Sequence, residues 1–155
     1  MRRLAIHPDE GFSLAEVLVT IVIVGITFTA ILGGLMTSIR VSDLQRTEAT
    51  ADAVARSAAE WVKDSIRNPY ANCGGPGGYS LAGLPTPSGY SATITSVEYW
   101  DGTAPATTGT YDLSSHIQAA CPAGGDKGLQ RITIVASSSD GQAAETVQIM
   151  KRKVS

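Results

Sequence analysis

The sequence has few of the residues from which metal sites and redox centres are built. Its 155 residues include two cysteines and two histidines, and the cysteines do not form a CxxC pair. Two isolated cysteines cannot complete a tetrahedral metal site, and neither His7 nor His116 has a second ligand-type residue at a useful spacing. We therefore expect no metal and no cofactor.

A catalytic signature and an excess of positive charge are also missing. The chain has no glycine-flanked nucleophilic serine and no Ser, His and Asp set within a motif. Its formal net charge of −2 leaves no basic footprint for bulk nucleic-acid binding. The sequence therefore predicts a protein that is not an enzyme, and it does not identify a nucleic-acid or small-molecule ligand.

The most prominent feature that is present is a long apolar run. Val17 to Ile39 holds 23 residues without a charge. A helix of that length covers about 34 Å, enough to cross the hydrocarbon core of a bilayer. The run is too long for a secretory signal peptide, and Arg2 and Arg3 ahead of it favour a cytoplasmic N-terminus. We predict a membrane-spanning helix over residues 12–39.

One acid, Glu16, stands just inside the apolar stretch that opens at Phe12. A carboxylate in a membrane segment is costly and indicates a function, although an interfacial side chain that reaches the headgroups is the plainer alternative. Cleavage after Gly11 would leave a cationic α-amine on Phe12, four residues before Glu16. In a low-dielectric layer the carboxylate would pair with that amine, in its own helix or in a neighbouring one.

The string GFSLAEVL at residues 11–18 resembles the class III signal of type IV prepilins and the related pseudopilins. The resemblance covers about the first quarter of the chain. It implies that residues 1–11 are a leader, which a membrane-embedded peptidase removes by cutting after Gly11. It also implies that the peptidase N-methylates Phe12, and that Glu16 sets the register of each subunit in a helical filament.

Beyond the apolar run, residues 40–68 predict an amphipathic continuation of the helix. One apolar stripe recurs there at spacings of three, four and seven, on Leu44, Ala51, Val54, Ala55, Ala58, Trp61, Val62 and Ile66. We expect one helix from Phe12 to Arg67, because Pro69 cannot easily continue it. The stripe is interpreted as a core face that packs on a sheet, with packing against neighbouring helices in a filament as the alternative.

Residues 69–155 predict a loop-rich globular β domain. Gly and Pro dominate 69–90, which indicates an extended surface loop. Alternating segments rich in β-branched and aromatic residues predict strands at 90–100, 130–136 and 144–151, with a short one at 111–113. The last two strands should form an antiparallel hairpin. The fold class is α+β, a long N-terminal helix on a small antiparallel sheet, and the resemblance implies the same pilin-like arrangement.

The two cysteines, Cys73 and Cys121, both stand in loop-like sequence. An even count in a small exported domain favours one disulfide. It would close a loop of roughly 50 residues, for which chain entropy gives about 4 kcal/mol of stabilisation. If the chain enters an oxidising space, we expect Cys73 and Cys121 to be bonded.

Residues and resemblance together predict a structural subunit, a minor one, of a type IV pilus or pilus-like filament. The resemblance implies a prepilin peptidase and methylase, other pilin or pseudopilin subunits, an inner-membrane assembly platform and the lipid bilayer as partners. It also implies a single pass through the inner or plasma membrane, with the C-terminal domain outside the cytoplasm. After assembly, the subunit would lie in a cell-surface or periplasmic filament.

Several alternatives stay open. The chain could be a pseudopilin of a type II secretion system, or a minor pilin of a longer pilus for adhesion or DNA uptake. It could instead be a single-pass membrane protein that displays a binding domain, keeps its leader and tolerates loss of Glu16. Asp126 and Asp140 could help to hold a calcium ion, as happens in some pseudopilins, although their spacing is not diagnostic.

Overall fold

The computed structural model describes residues 13–103 and 112–154, which form one long helix followed by four strands. The helix and strands are α1 (Leu14–Lys63), β1 (Tyr90–Trp100), β2 (Ile117–Gln118), β3 (Leu129–Ser138) and β4 (Ala144–Arg152). The predicted α+β, pilin-like fold is confirmed. The chain divides into two compact units, Met1–Ser42 and Asp43–Ser155.

The first part of α1 exposes nearly all of its apolar surface. Its large apolar side chains, from Leu14 to Ile39, are between 47% and 83% exposed. Its threonines donate their hydroxyl hydrogens to carbonyls four residues earlier, so the polar groups are satisfied inside the helix; they are Thr20, Thr27, Thr29 and Thr37. Within the described residues, this helix is long and apolar enough to cross a membrane.

The second part of α1 packs an alanine-rich face onto the sheet. The buried residues of this face are Ala51, Val54, Ala55, Ala58, Ala59 and Val62. Most of these residues belong to the two buried clusters that α1 shares with the strands. The predicted stripe is confirmed at five of these positions. It is wrong at Leu44, which is 45% exposed, and at Ile66, which is 92% exposed.

The helix ends at Lys63, four residues before the predicted end at Arg67. The Asp64 carboxylate accepts hydrogen bonds from the backbone N–H groups of Ile66 at 2.9 Å and Arg67 at 3.4 Å. These N–H groups are therefore diverted from the helix carbonyls four residues earlier. The chain turns at Asp64, and Ile66 leaves the helix face that carries the rest of the stripe.

The sheet has the strand order β2-β1-β3-β4, and every neighbouring pair is antiparallel. β3 and β4 form the predicted hairpin, with Asp140 and Gly141 in its turn. The φ angle of Gly141 is +73°, a conformation that glycine adopts without strain. The short strand predicted at 111–113 is wrong at Leu113, which starts a 3₁₀-helix, and Tyr111 lies outside the described residues.

The core lies between α1 and the inner face of the sheet. Strand residues that pack there with Ala58 and Val62 are Val97, Tyr99, Ile132, Ile134 and Ile149. The loop between α1 and β1 also contributes, because its Tyr79 is only 6% exposed. The interpretation of 69–90 as a surface loop is therefore wrong at Tyr79.

A buried lysine closes the core at the end of α1. Lys151 is 6% exposed, and its ammonium group donates hydrogen bonds to the carbonyl oxygens of Val62 and, at 2.7 Å, of Asn68. A cation beside the carbonyls at a helix C-terminus is favourable. Burial lowers the pKa of Lys151, and the carboxylate of Asp64 acts in the opposite direction. Lys151 thus holds the helix end and the following turn against β4.

Replacing Lys151 by methionine should destabilise the protein. Lys151→Met removes both donors and leaves two buried carbonyl oxygens without them, so we expect the free energy of unfolding to fall by about 1–3 kcal/mol. Chemical unfolding of the full chain in detergent measures this. Lys153→Met, at an exposed neighbouring position, is the matched control and should stay close to wild type. Equal stability of the two variants would contradict the role given to Lys151.

Candidate functional site

The predicted processing site lies at the N-terminal end of the chain. Gly11 and Phe12 are outside the described residues, so their roles stay predictions. The described chain begins with Ser13, whose hydroxyl oxygen accepts a hydrogen bond from the backbone N–H of Glu16 at 3.2 Å. Ser13 is thus the N-cap of α1, and the Ser-x-x-Glu spacing is that of a capping box.

Glu16 lies exposed in the first turn of α1. A carboxylate there is favoured by the positive end of the helix dipole. Among the described residues, the ion pairs do not involve Glu16. Its carboxylate is therefore available for a cation from outside this part of the chain. The predicted role of Glu16 in subunit register is compatible with this position but stays a prediction.

A disulfide between Cys73 and Cys121 joins the loop after α1 to the segment before β3. Their Cα atoms are 5.4 Å apart and 48 residues separate them in sequence. The bond closes a long loop of the chain, which restricts the unfolded ensemble. The disulfide joins two loop segments that contain little regular secondary structure.

A partly buried polar network adjoins the disulfide, and no pattern in the sequence predicts it. The Asp126 carboxylate accepts hydrogen bonds from the Tyr70 hydroxyl at 2.7 Å, the Gly128 N–H at 2.8 Å and the Cys73 N–H at 3.5 Å. The side-chain amide of Gln130, a fully buried residue, donates to the same carboxylate. Four donors from two loops and a strand therefore converge on Asp126.

Gln130 extends the network into the core. Its amide nitrogen donates to the carbonyl oxygen of Ala71 at 2.8 Å, and its amide oxygen accepts the hydroxyl hydrogen of Tyr79 at 2.7 Å. Within the described part of the chain, no buried side-chain nitrogen or oxygen lacks a partner. A fully satisfied polar network rigidifies the residues that form it. The network therefore fixes the loop after α1 against the start of β3.

The hydrogen bonds of this network change the acidity of its members. Burial acts to raise the pKa of Asp126, but donation from Gln130, Tyr70 and the backbone outweighs burial and lowers it. Burial, followed by the hydrogen bond to Asp126, raises the pKa of Tyr70. At neutral pH the network therefore holds an ionised Asp126 and a neutral Tyr70.

Calcium binding by Asp126 together with Asp140 is not compatible with this geometry. Asp126 precedes β3 and Asp140 follows it, so the length of β3, about 30 Å, separates them. The Asp140 carboxylate is itself engaged by the Ser138 hydroxyl at 2.6 Å and the Gln142 N–H at 3.1 Å. No cluster of three potential metal ligands occurs within 13–103 and 112–154.

His116, the other candidate considered from the sequence, lies within hydrogen-bond distance of an acid. Its Nδ1 lies 3.0 Å from Oδ2 of Asp101, which connects the end of β1 to the start of β2. This contact links the residue after β1 to the residue before β2.

The comparison with known families identifies the N-terminal segment. A family model described as the prokaryotic N-terminal methylation motif matches residues 7–32. This segment is the class III signal peptide of type IV pilins and pseudopilins. Searches of curated proteins and of solved structures gave no significant match.

The motif and the fold together indicate one class of protein. The motif indicates a type IV pilin-like or pseudopilin subunit, and the helix-on-sheet fold is pilin-like. The motif further implies processing by a peptidase and assembly with pilin subunits. The apolar helix and the motif fit a membrane-anchored pilin.

Removing the negative charge of Asp126 should make the free energy of unfolding depend less on pH in the acidic range. Because the folded-state pKa of Asp126 lies below the unfolded value of about 3.9, its stabilisation is complete above that value. The stabilisation is lost as the pH falls through the folded-state pKa. At neutral pH, Asp126→Asn should lower the free energy of unfolding by about 1–3 kcal/mol.

Unfolding curves between about pH 2 and 7 test this, because the difference between wild type and Asp126→Asn should shrink toward the acid end. Asp43→Asn removes the same charge from an exposed helix position and is the control. A difference that stays constant down to the lowest pH would mean that the ionised carboxylate is not what holds the network.

Proposed function

We propose that this protein is a structural subunit, a minor one, of a type IV pilus or pilus-like filament. The observation that carries the proposal is a methylation motif at the head of a helix whose apolar first part is exposed throughout. Such a surface needs lipid before assembly and other apolar helices after it. One helix can therefore serve first as membrane anchor and then as the element through which subunits associate.

Maturation is the first step of the proposal. The peptidase cuts after Gly11, removes residues 1–11 and methylates the new N-terminus at Phe12. The helix cap at Ser13 supports this assignment, because α1 begins only at Leu14 and the scissile bond precedes the cap. The mature chain then presents its amine at the end of the membrane-spanning helix.

Subunit register is the second step. The Glu16 carboxylate pairs with the Phe12 amine of a neighbouring subunit in the apolar interior of the filament. The exposed carboxylate in the first turn of α1 supports this pairing. In a low-dielectric environment either charge alone is costly, so a misaligned helix is penalised by several kcal/mol.

The remaining part of the chain fits a globular domain that lies outside the cytoplasm. The protein spans the inner or plasma membrane once, with its N-terminus in the cytoplasm and its C-terminal domain outside. The disulfide between Cys73 and Cys121 supports an oxidising compartment for that domain. An inner-membrane assembly platform then moves the subunit from the bilayer into the filament.

A pseudopilin of a type II secretion system is the second candidate. The same motif supports it, since pseudopilins carry the same class of signal peptide. Both candidates share the maturation and register steps, and neither requires an enzymatic activity. They differ in the filament system to which the subunit belongs.

Substitution of Gly11 by a bulky residue should block maturation. In membranes of the native host, wild type should start at N-methylated Phe12, whereas Gly11→Leu should keep residues 1–11. Intact mass and N-terminal sequencing distinguish the two. Gly25→Leu is the matched control, because a side chain there meets no other atom within 4 Å and leaves the cleavage site intact. A mature mass for Gly11→Leu would refute the assignment.

Removal of the Glu16 carboxylate should impair assembly and leave maturation unchanged. Glu16→Ala should insert and be processed, but its incorporation into sheared filaments should fall by about tenfold or more, because an unpaired charge remains in an apolar interior. Glu48→Ala removes an exposed acid farther along α1 and should assemble normally. Normal incorporation of Glu16→Ala into filaments would reject the pairing between Glu16 and the neighbouring amine.

A further inference from the structure

The strand β4 forms one edge of the sheet, and no other strand of the described residues pairs with its outer side. Its pairing with β3 runs through nine residue pairs without a register shift. β4 also contains no proline. Proteins often interrupt an edge strand with a bulge or a proline, because its unpaired backbone groups can pair with another chain. The edge of β4 is therefore regular along its whole length.

Two hydrogen bonds at the ends of the hairpin show which backbone groups of β4 face the open edge. The Lys153 N–H donates to the Gly128 carbonyl, and the Ser138 N–H donates to the Ala143 carbonyl, both at 2.9 Å. In an antiparallel ladder, residues that bond the partner strand alternate with residues whose backbone groups face away. The odd-numbered residues of β4 therefore bond β3. The N–H and C=O groups directed to the open edge belong to Ala144, Thr146, Gln148, Met150 and Arg152.

These five edge residues are exposed, and their side chains lie on the face of the sheet opposite α1. The residues between them point toward α1, where Ile149 and Lys151 are buried. Among the residues that the structure describes, no turn or loop backbone bonds the N–H and C=O groups of this edge. The ammonium group of Lys151 is bound to the carbonyls of Val62 and Asn68, so this inward cation does not obstruct the edge. The edge can therefore pair with another chain.

A recess adjoins the C-terminal half of this edge. Its volume is about 380 Å³, which is ample for one side chain. The residues that line it include Met150, Lys151 and Arg152 of β4, together with Lys63, Pro69 and Tyr70 from the end of α1 and the turn after it. Successive residues of β4 point to opposite faces, so they meet one recess only at the strand edge. The turn after α1 therefore stands beside the edge and leaves room next to it.

We propose that the open edge of β4 binds an extended segment of another polypeptide, which adds to the sheet as a further strand. The spacing and direction of the free backbone groups match those of another strand, and main-chain hydrogen bonds supply the affinity in this mode of recognition. Neighbouring side chains set the chemistry of the segment. Uncharged polar side chains suit the outer face beside Thr146 and Gln148, and apolar ones suit the α1 side beside the partly buried Val147, with one of them in the recess.

A second copy of the chain does not suit this edge. Two copies of β4 paired antiparallel are related by a half-turn about an axis perpendicular to the sheet, so their α1 helices run in opposite directions. Subunits that span one membrane in the same orientation cannot adopt this arrangement. The choice of a different polypeptide thus rests on the proposed function, whereas the open edge itself does not depend on it.

Hydrogen exchange of single β4 amides tests the proposal, measured by NMR on the full chain in detergent. The probe is a short capped peptide that alternates threonine and valine, used below the concentration at which it aggregates. Without peptide, the amides of the five edge residues should exchange fast, and those of Glu145, Val147 and Ile149 slowly. With peptide, exchange of the edge amides should slow by about tenfold or more, because each gains a hydrogen-bond acceptor. No slowing at the highest soluble peptide concentration, or equal slowing of both sets, would overturn the proposal.

Two N-methylated versions of the peptide test the hydrogen bonds without altering the protein. One lacks the N–H donors of its threonines and the other those of its valines. Only one set of donors can face β4, so one version should bind and the other should not. The threonine-methylated version should fail if the peptide adds antiparallel, and the valine-methylated version should fail if it adds parallel. Equal affinities of the two versions would overturn the proposal.

A pair of substitutions at the centre of β4 tests the edge from the protein side. Gln148→Pro removes an N–H that faces the open edge, a position at which an edge strand tolerates proline. Gln148→Ala keeps that N–H and is the matched control. Gln148→Pro should weaken peptide binding about tenfold or more, and Gln148→Ala should bind like wild type. Equal binding by the two folded variants would overturn the proposal.

The same exchange measurement without peptide separates the partner from the proposed filament function. Protection of the edge amides that rises with protein concentration would assign the edge to a second copy and overturn the proposal. Maturation at Gly11 and filament incorporation are read in the native host, whereas the edge is read on the unassembled chain in detergent. Failure of either proposal is therefore seen independently of the other.

Discussion

The close packing of the alanine-rich face of α1 on the sheet is the contact on which the rest of the globular unit depends. Ala58 packs in one buried cluster with Ile132 and Ile134, and Ala55 packs in a second one with Ala136. Burial of apolar surface is the main stabilising term of such a domain. The position of α1 then decides where its C-terminal carbonyls meet the sheet and where the following loop begins.

From the end of α1, a series of polar contacts holds a chain segment that has little regular structure. Lys151 binds the carbonyls at the helix end, and Asn68 donates its side-chain amide to the carbonyls of Trp61 and Ser80, both at 3.0 Å. Asp126 and Gln130 then hold the next residues beside the disulfide. Loops rich in glycine cannot bury enough apolar surface to order themselves, so hydrogen bonds and the disulfide stabilise this region.

The exposed apolar part of α1 differs in its physics from the globular unit. The run from Val17 to Ile39 contains no charged residue, and its large apolar side chains are exposed. In the low-dielectric surroundings that suit such a surface, one carboxylate such as Glu16 has a large effect. The globular unit is instead stabilised by burial around α1 and by the polar contacts beside the disulfide.

The sequence by itself determined the long apolar helix, the acid at its head, the three main strands and the α+β fold, because these depend on local periodicity that neighbouring residues express directly. Only the tertiary structure decided that the carbonyl oxygens at the end of α1 are bound by Lys151, because that lysine lies far along the chain, in β4. It also decided the network at Asp126. This network gathers residues far apart in sequence, and no periodic pattern records which loops and strand ends become neighbours once the sheet forms.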